Sequence, residues 1–190
     1  MKNTTTERPI LFSGPMVKAI LEGRKTMTRR VVKPAPEFGV EAASVQHEDG
    51  KAKAVFQSLS NCSGITVACP YGRPGDRLWV RETFCHLGDE NENWFLYKAD
   101  NPDALNGLIA TWKPSIHMPR AASRILLEIT EIRVERLKDI TASDCVCEGI
   151  EFESDIFTTY NKFRRLWQSI NGPESWAKNP WVWVIEFKKI

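Results

Sequence analysis

The sequence lacks the features that would place it among membrane, secreted or disulfide-rich proteins. It has no run approaching the roughly 18 apolar residues needed to cross a bilayer, and its first residues lack the apolar segment of a signal peptide. Its five cysteines are an odd number without the dense spacing of a disulfide scaffold. These absences predict a cytoplasmic protein whose thiols are reduced.

Charge of one sign is also not in excess, because 26 Lys and Arg residues face 24 Asp and Glu residues. Long-range attraction to polyanions is therefore weak, and contact with nucleic acid would need a local basic patch. The sequence contains no P-loop, dinucleotide-binding fingerprint or Ser-His-Asp order, which argues against the larger enzyme classes. Cys62 and Cys69 could form half of a metal site, but a second Cys/His pair at zinc-like spacing is missing. We expect no metal and no cofactor.

The 190 residues, of which 42% are hydrophobic, predict one domain spanning residues 1–190. Two regions, at about 33–68 and 86–110, are rich in proline, glycine or acidic residues and are interpreted as loop-like insertions. Within them, only residues 54–56 and 94–97 are predicted to form short strands.

Regular elements are predicted outside these regions. Residues 10–12 favour a strand, Pro15 and Gly23 suit the start and end of a helix, and residues 25–32 favour a second strand. Residues 77–83, after a turn, favour a buried strand.

The second half of the chain gives equally local signals. In residues 124–137 the apolar positions change parity near Thr130, which predicts a strand with a bulge. Thr141 and Asp144 resemble a capping box at a helix start, and Phe163, Leu166, Trp167 and Ile170 share one helical face. Residues 181–187 are apolar on both faces and predict a central strand. The mixture indicates an α+β fold.

Residues 23–30 concentrate the polar chemistry of the sequence. They contain the basic residues Arg24, Lys25, Arg29 and Arg30 and also the Thr28 hydroxyl. The pattern fits a solvated strand end, but it fits a site for phosphate or a polar base as well.

Glu148 lies at the end of a predicted helix, where the helix dipole disfavours a carboxylate by about 0.3–1 kcal/mol. Such a residue is either an ordinary surface glutamate or a functional one.

Aromatic and basic residues in the predicted loops are candidates for nucleic-acid contact. Trp112 and Trp176 lie in polar surroundings, where an indole can stack on a base. Lys113, His117 and Arg120 belong to a proline-containing loop that could line the mouth of a site. The tryptophans on apolar faces are predicted to lie in the core; they are Trp79, Trp167, Trp181 and Trp183.

Three segments taken together resemble the ASCH family of small PUA-like proteins, including many phage and bacterial members. They are residues 20–30 (ILEGRKTMTRR), 73–83 (RPGDRLWVRET) and 179–187 (NPWVWVIEF). The resemblance covers residues 10–187 apart from the two inserted regions. It implies a PUA-like small β-barrel with flanking short helices, related to domains that bind RNA.

The resemblance also implies a chemistry. A small bacterial member of the family is an amidohydrolase of N4-acetylcytidine that uses a lysine, a threonine and a glutamate. In the pattern Gly-Arg-Lys-Thr-hydrophobic-Thr these fall on Lys25 and Thr28, and the glutamate falls on Glu148, eight residues after Ile140. Thr28 would be the nucleophile, Lys25 its base and Glu148 an acid or orienting group. The expected partner is a modified nucleoside or single-stranded RNA.

One geometric condition accompanies this hypothesis. Lys25 and Thr28 are three positions apart and would point to opposite faces of a regular strand, so an irregular turn is required at Lys25. Two alternatives remain open. The first is a non-catalytic RNA-binding module, with Arg29, Arg30, Lys113 and Arg120 at phosphates and Trp112 stacked on a base. The second is a ribonuclease in which Lys25 stabilises charge at phosphorus.

Overall fold

The structure of the protein is a computed structural model that describes residues 5–34, 40–48, 50–58, 64–88, 94–153 and 155–190. Within these ranges the chain forms ten strands and three α-helices. In chain order they are β1 (Glu7–Leu11), α1 (Gly14–Leu21), β2 (Met27–Val31), β3 (Val40–Glu48), β4 (Lys51–Ser58), β5 (Gly64–Ala68), β6 (Arg77–Arg81), β7 (Phe84–His86), β8 (Phe95–Tyr97), β9 (Leu126–Arg136), α2 (Ala142–Cys147), α3 (Ile156–Asn171) and β10 (Trp181–Lys189). The predicted α+β class is confirmed.

The main sheet has the strand order β1-β6-β9-β10-β2. The β1–β6 pair is parallel and the other pairs are antiparallel. The order places β2, which carries Thr28, at one edge of this sheet. Thr28 lies opposite Ile185 of β10, so β10 holds the candidate nucleophile in the sheet.

Strand β10 is central, as its two apolar faces predict. Trp183 and Ile185 belong to a core cluster that also contains residues of α1, β4 and β5. Val182 and Val184 face the opposite way, into a second cluster built with α2 and α3. Because side chains alternate along a strand, one continuous apolar run supplies both cores.

The predicted bulge in β9 is also present. The pairing with β10 passes from Glu186 opposite Glu131 to Phe187 opposite Ile129, so Thr130 is the extra residue. The side-chain parity of β9 changes at this point, which keeps Ile129 and Ile132 buried.

The region at about 33–68 is not a loop-like insertion with a single short strand. Strands β3, β4 and β5 form an antiparallel three-stranded sheet. Ala52, Ala54 and Phe56 of β4 are buried in the main core. Small alanines made this apolar alternation weak in the sequence, although the Asp49-Gly50 dipeptide is a recognised hairpin signal. The region at about 86–110, in its described part, contains strand β8 and otherwise turns.

The PUA-like barrel expected from the resemblance is not closed within the described part of the chain. Strands β1 and β2 are the two edges of the main sheet, and no strand pairing joins them there. A side chain nevertheless spans the gap, because Arg30 Nη2 donates to the Leu11 carbonyl at 2.6 Å. The sheet is therefore curved so that its edges approach one another.

The helix ends follow the predicted signals. Pro15 lies in the first turn of α1, and Gly23 after it has a positive φ of 76°. Thr141 and Asp144 form a complete capping box at the start of α2. Among the described helices, none has the length and apolarity to span a membrane.

Candidate active site

A cavity of about 530 Å³ lies beside β2, in the gap between the edges of the main sheet. Leu11 and Phe12 at the end of β1 form one side, and Phe163 and Trp167 of α3 form another. Thr28 and Glu148 both border this cavity. The fold therefore brings two of the three predicted catalytic residues to one concave surface.

Lys25 lies in the irregular segment between α1 and β2, as the catalytic hypothesis requires. The backbone N–H groups of Arg24 and Lys25 both donate to the Ala19 carbonyl, at 2.9 and 3.0 Å, which folds the chain back before β2 begins. The residue is 2% exposed, and its side chain is fully buried. The direction of the Lys25 side chain is therefore not set by the alternation of side chains along β2.

The Lys25 ammonium makes three short hydrogen bonds. Nζ donates to the Met27 carbonyl at 2.7 Å, to the Glu148 carbonyl at 2.8 Å and to Glu148 Oε2 at 2.7 Å. An ammonium has three protons, so each of them has an acceptor. Burial lowers the pKa of Lys25 more than the adjacent Glu148 carboxylate raises it, and the charges of Arg30 and Arg29 lower it further.

Glu148 forms the C-cap of α2, where the helix dipole disfavours a negative charge. Lys25 compensates for this position through an ion pair with Oε2 at 2.7 Å, and both side chains are almost fully buried. The other carboxylate oxygen, Oε1, is buried and has no hydrogen-bond partner among the described residues, although Arg29 Nη1 lies 3.6 Å away. Glu148 thus keeps one acceptor available beside the cavity.

Thr28 is 3% exposed and borders the same cavity. Within the described ranges its hydroxyl makes no hydrogen bond to Lys25 or Glu148. Lys25 and Glu148 are therefore hydrogen-bonded to each other, as the hypothesis requires. The required hydrogen bond to Thr28 is absent among the described residues. Hydrogen bonds to a nucleophile are often long in a free enzyme and shorten when substrate binds.

Gly149 shapes the approach of Lys25 to Glu148. Its φ of 92° lies in the left-handed region, and a Cβ at this position would meet Ala19 Cβ at 3.0 Å and Lys25 Cβ at 3.1 Å. A glycine is needed here for both reasons. The turn that ends α2 and the segment that carries Lys25 can therefore pack directly against each other.

The three arginines predicted to bind substrate have different roles. Arg29 is 4% exposed, and its Nη2 contacts Glu135 at 3.1 Å and Asp144 at 2.9 Å. Arg24 is paired with Glu22 and donates to the Gly149 carbonyl at 3.1 Å, which braces the same turn. Arg29 and Arg30 border the cavity, and of these two only Arg29 is engaged by carboxylates within the described residues.

Comparison with known proteins adds no family to this geometry. No protein-family model, no curated protein and no solved structure matches the chain.

The predicted contact residues of the loop after β8 do not line the cavity. Lys113, His117 and Arg120 are exposed, and Arg120 Nε is paired with Glu7 at 2.9 Å. Trp112 is half-buried, and its Nε1 donates to the Pro102 carbonyl at 3.3 Å. Ser115, from the same loop, does border the cavity. The loop therefore reaches the cavity through Ser115, and not through Lys113, His117 or Arg120.

Helix α3 supplies a wall that was interpreted from the sequence only as core. Phe163 and Trp167 are buried, whereas Leu166 is half-buried and Ile170 exposed, and all four border the cavity. Trp167 Nε1 has no hydrogen-bond partner within the described part of the chain. Trp167 therefore belongs to the second core cluster, as predicted, and also borders the candidate site.

Trp176 is the reverse case, because it was a stacking candidate and is only 6% exposed. It packs edge-on against Tyr160 and Phe163 in the second core cluster. Its polar sequence neighbours concealed this packing.

The described residues contain no group of three or more His, Cys, Asp and Glu side chains that could hold a metal ion. Cys69 is buried, and burial raises the pKa of its thiol to about 11. Cys62, its suggested partner, lies outside the described residues.

Proposed function

We propose that the protein is an amidohydrolase that removes an acyl group from the N4 position of a cytidine-type base. One observation carries the proposal. Glu148, which is paired with the buried Lys25, borders the same cavity as Thr28, and one oxygen of its carboxylate has no hydrogen-bond partner among the described residues. A hydroxyl, a base and a buried cation beside the base are the groups that amide cleavage by a threonine nucleophile requires.

The first step is attack of Thr28 Oγ1 on the acyl carbon. Glu148 Oε1 accepts the hydroxyl proton as the new C–O bond forms. The amide C–N bond then breaks, and the same proton passes to the leaving N4 atom, which departs as the free amine. Water hydrolyses the resulting threonine ester, so the net reaction converts one amide and one water into an amine and a carboxylic acid.

Lys25 acts on Glu148 in this scheme and not directly on Thr28. Its three protons are donated to the Met27 carbonyl and to Glu148. The ammonium nitrogen therefore has no lone pair that could accept the hydroxyl proton. It holds the carboxylate in one orientation and offsets its negative charge. Because burial lowers the pKa of Lys25, a proton can also move along the 2.7 Å contact to Glu148 when the leaving group needs it.

The cavity walls suit a flat, partly apolar ligand. Phe163, Trp167 and Leu166 give an apolar side, while Thr28 and Glu148 give a polar one. This combination resembles general small-molecule sites, in which a few polar groups orient a ligand within an apolar lining.

The finer fold and setting are part of the same proposal. The curved main sheet, with Arg30 joining its edges, supports a PUA-like barrel of the ASCH type that is open at the cavity. We propose a single domain over residues 1–190 and a cytoplasmic location, where modified nucleosides and RNA occur.

The test is turnover of N4-acetylcytidine by purified protein, followed by chromatography of released cytidine. Thr28→Ala should lower kcat by at least about 100-fold, in line with the loss of a nucleophile or its acid–base partner. Thr26→Ala is the matched control, because Thr26 is exposed in the same segment, and it should retain full activity.

Absence of turnover by the wild-type protein on acylated cytidines would refute the proposal. RNA binding without turnover, with a clear dependence of log K on log salt concentration, would favour the binding-module alternative. Shortened RNA after incubation would favour the ribonuclease.

A further inference from the structure

The basic residues near the cavity differ in whether their charge is already compensated. Arg29 is engaged by Glu135 and Asp144, and Lys25 by Glu148. Arg30 has no carboxylate within 4.0 Å in the described part of the chain. Its guanidinium donates a hydrogen bond from Nη2 to the Leu11 carbonyl at 2.6 Å and lies over the face of the Phe12 ring. A cation held in place by neutral groups retains its attraction for an anion.

The Arg30 guanidinium also has unused hydrogen-bonding capacity. Its Nε is buried and without a hydrogen-bond partner among the described residues. A buried, unpaired N–H costs free energy unless a ligand or water satisfies it. Arg30 as a residue borders the cavity, so its positive charge acts on any anion that binds there.

Lys33 lies beyond the end of β2. It borders the same cavity, is exposed, and forms no ion pair with any described residue. With the Glu148 charge offset by Lys25, the positive charges of Arg30 and Lys33 are not paired with a carboxylate among the described residues. Hydroxyl groups of Ser13 and Tyr71 border it as well and can donate to the same anion.

We infer that Arg30 and Lys33 form an anion subsite and that the substrate carries a phosphate. This inference rests on the proposed function, and it narrows the substrate from an acylated nucleoside to its phosphate ester. An uncharged nucleoside would leave both cations unused, whereas a 5′-phosphate or a phosphodiester provides the oxygens that arginine and lysine bind best. A free nucleotide and a residue within RNA share this chemistry.

The first experiment compares kcat/KM for N4-acetylcytidine, its 5′-monophosphate and a short oligoribonucleotide containing one N4-acetylcytidine. We expect the 5′-monophosphate or the oligoribonucleotide to exceed the nucleoside by about tenfold or more, the effect of one or two hydrogen bonds to a charged group. A higher value for the monophosphate identifies a free nucleotide, and a higher value for the oligoribonucleotide identifies RNA. Equal values for all three would overturn the inference.

Two variants connect the preference to the subsite. Arg30→Gln and Lys33→Gln should each remove most of the preference for phosphate, so that the ratio of kcat/KM for the phosphorylated substrate to kcat/KM for the nucleoside falls toward unity. Arg30→Lys should restore part of it, because the charge returns. Lys33→Gln cannot act through misfolding, since this side chain is exposed. Lys18→Gln, at an exposed lysine of α1 outside the cavity, is the control and should change nothing.

Binding separates this inference from failure of the proposed reaction. Cytidine, cytidine 5′-monophosphate and inorganic phosphate can be titrated by calorimetry, with no turnover involved. Tighter binding of the monophosphate than of cytidine, lost in Arg30→Gln, supports the subsite even if no acylated base is hydrolysed. Equal binding of the two, binding of neither, or binding that Arg30→Gln and Lys33→Gln leave unchanged, overturns it.

Discussion

The buried ion pair of Lys25 and Glu148 predicts a large and asymmetric effect on stability. Substitution Lys25→Met removes the cation and leaves the Glu148 carboxylate buried at 5% exposure. It also leaves the carbonyls of Met27 and Glu148 without their 2.7 and 2.8 Å donor. Breaking a buried pair from one side costs about 3–5 kcal/mol. Because Arg29 Nη1 remains 3.6 Å from Oε1, we expect a loss near the lower end, about 3 kcal/mol.

The double variant Lys25→Met/Glu148→Leu should lose less free energy of unfolding than the two single variants lose together. Both charges then disappear together, and replacing a buried pair by apolar side chains is often close to neutral. We expect a coupling free energy of about 2 kcal/mol from the double-mutant cycle. The assay is urea unfolding followed by the fluorescence of the seven tryptophans, with the m value compared among variants.

Lys18→Met, at an exposed lysine of α1, is the control for removal of a positive charge and should change the free energy of unfolding by less than about 0.5 kcal/mol. A cost below about 1 kcal/mol for Lys25→Met, or additive single variants, would refute the reasoning. Either result would mean that the pair is hydrated or that the two side chains do not meet.

Two further predictions concern the surroundings of this pair. Gly149→Ala should lower the thermal stability more than Gly23→Ala does. Both glycines have positive φ, but only a Cβ at Gly149 would meet neighbours, at 3.0 and 3.1 Å. Equal losses for the two variants, above the roughly 1 kcal/mol backbone penalty, would contradict the close approach. Hydrogen bonds from Thr141 and the charge of Arg29 lower the pKa of Asp144 against the opposing effect of burial, so its contribution to stability is complete above the ordinary value of 3.8 and lost as pH falls through the folded value. Asp144→Asn should flatten the Tm-versus-pH curve in that acidic range, and an unchanged slope would show that the carboxylate is not paired.

Local signals in the sequence predicted the elements that carry the site. Pro15 and Gly23 delimit α1, the Thr141–Asp144 capping box starts α2, and the parity change at Thr130 marks the bulge. Each depends on neighbours within a few residues, where backbone propensity and hydrogen bonding decide the conformation.

What local patterns could not predict depends on distant contacts. Lys25 and Glu148 are 123 residues apart, and the resemblance to ASCH proteins, not the local pattern, led to their pairing. Arg29 and Arg30 are adjacent in the chain but differ in burial because they occupy opposite faces of β2. Trp167 of α3 lies in the core as predicted, but the position of α3 beside the cavity could not be predicted, since a helical face has the same pattern whether it meets a cavity or a packed interior.

The central position of β10 has a consequence for folding. Residues 181–189 emerge during synthesis after β2, β9 and all three helices, yet they pair with both strands and complete both core clusters. Among the described strands, β2 has no other partner in the main sheet. Thr28 therefore cannot be fixed in place until the last strand of the sheet is available. Long-range pairing of this kind forms late, so we expect the candidate site to mature in the final stage of folding.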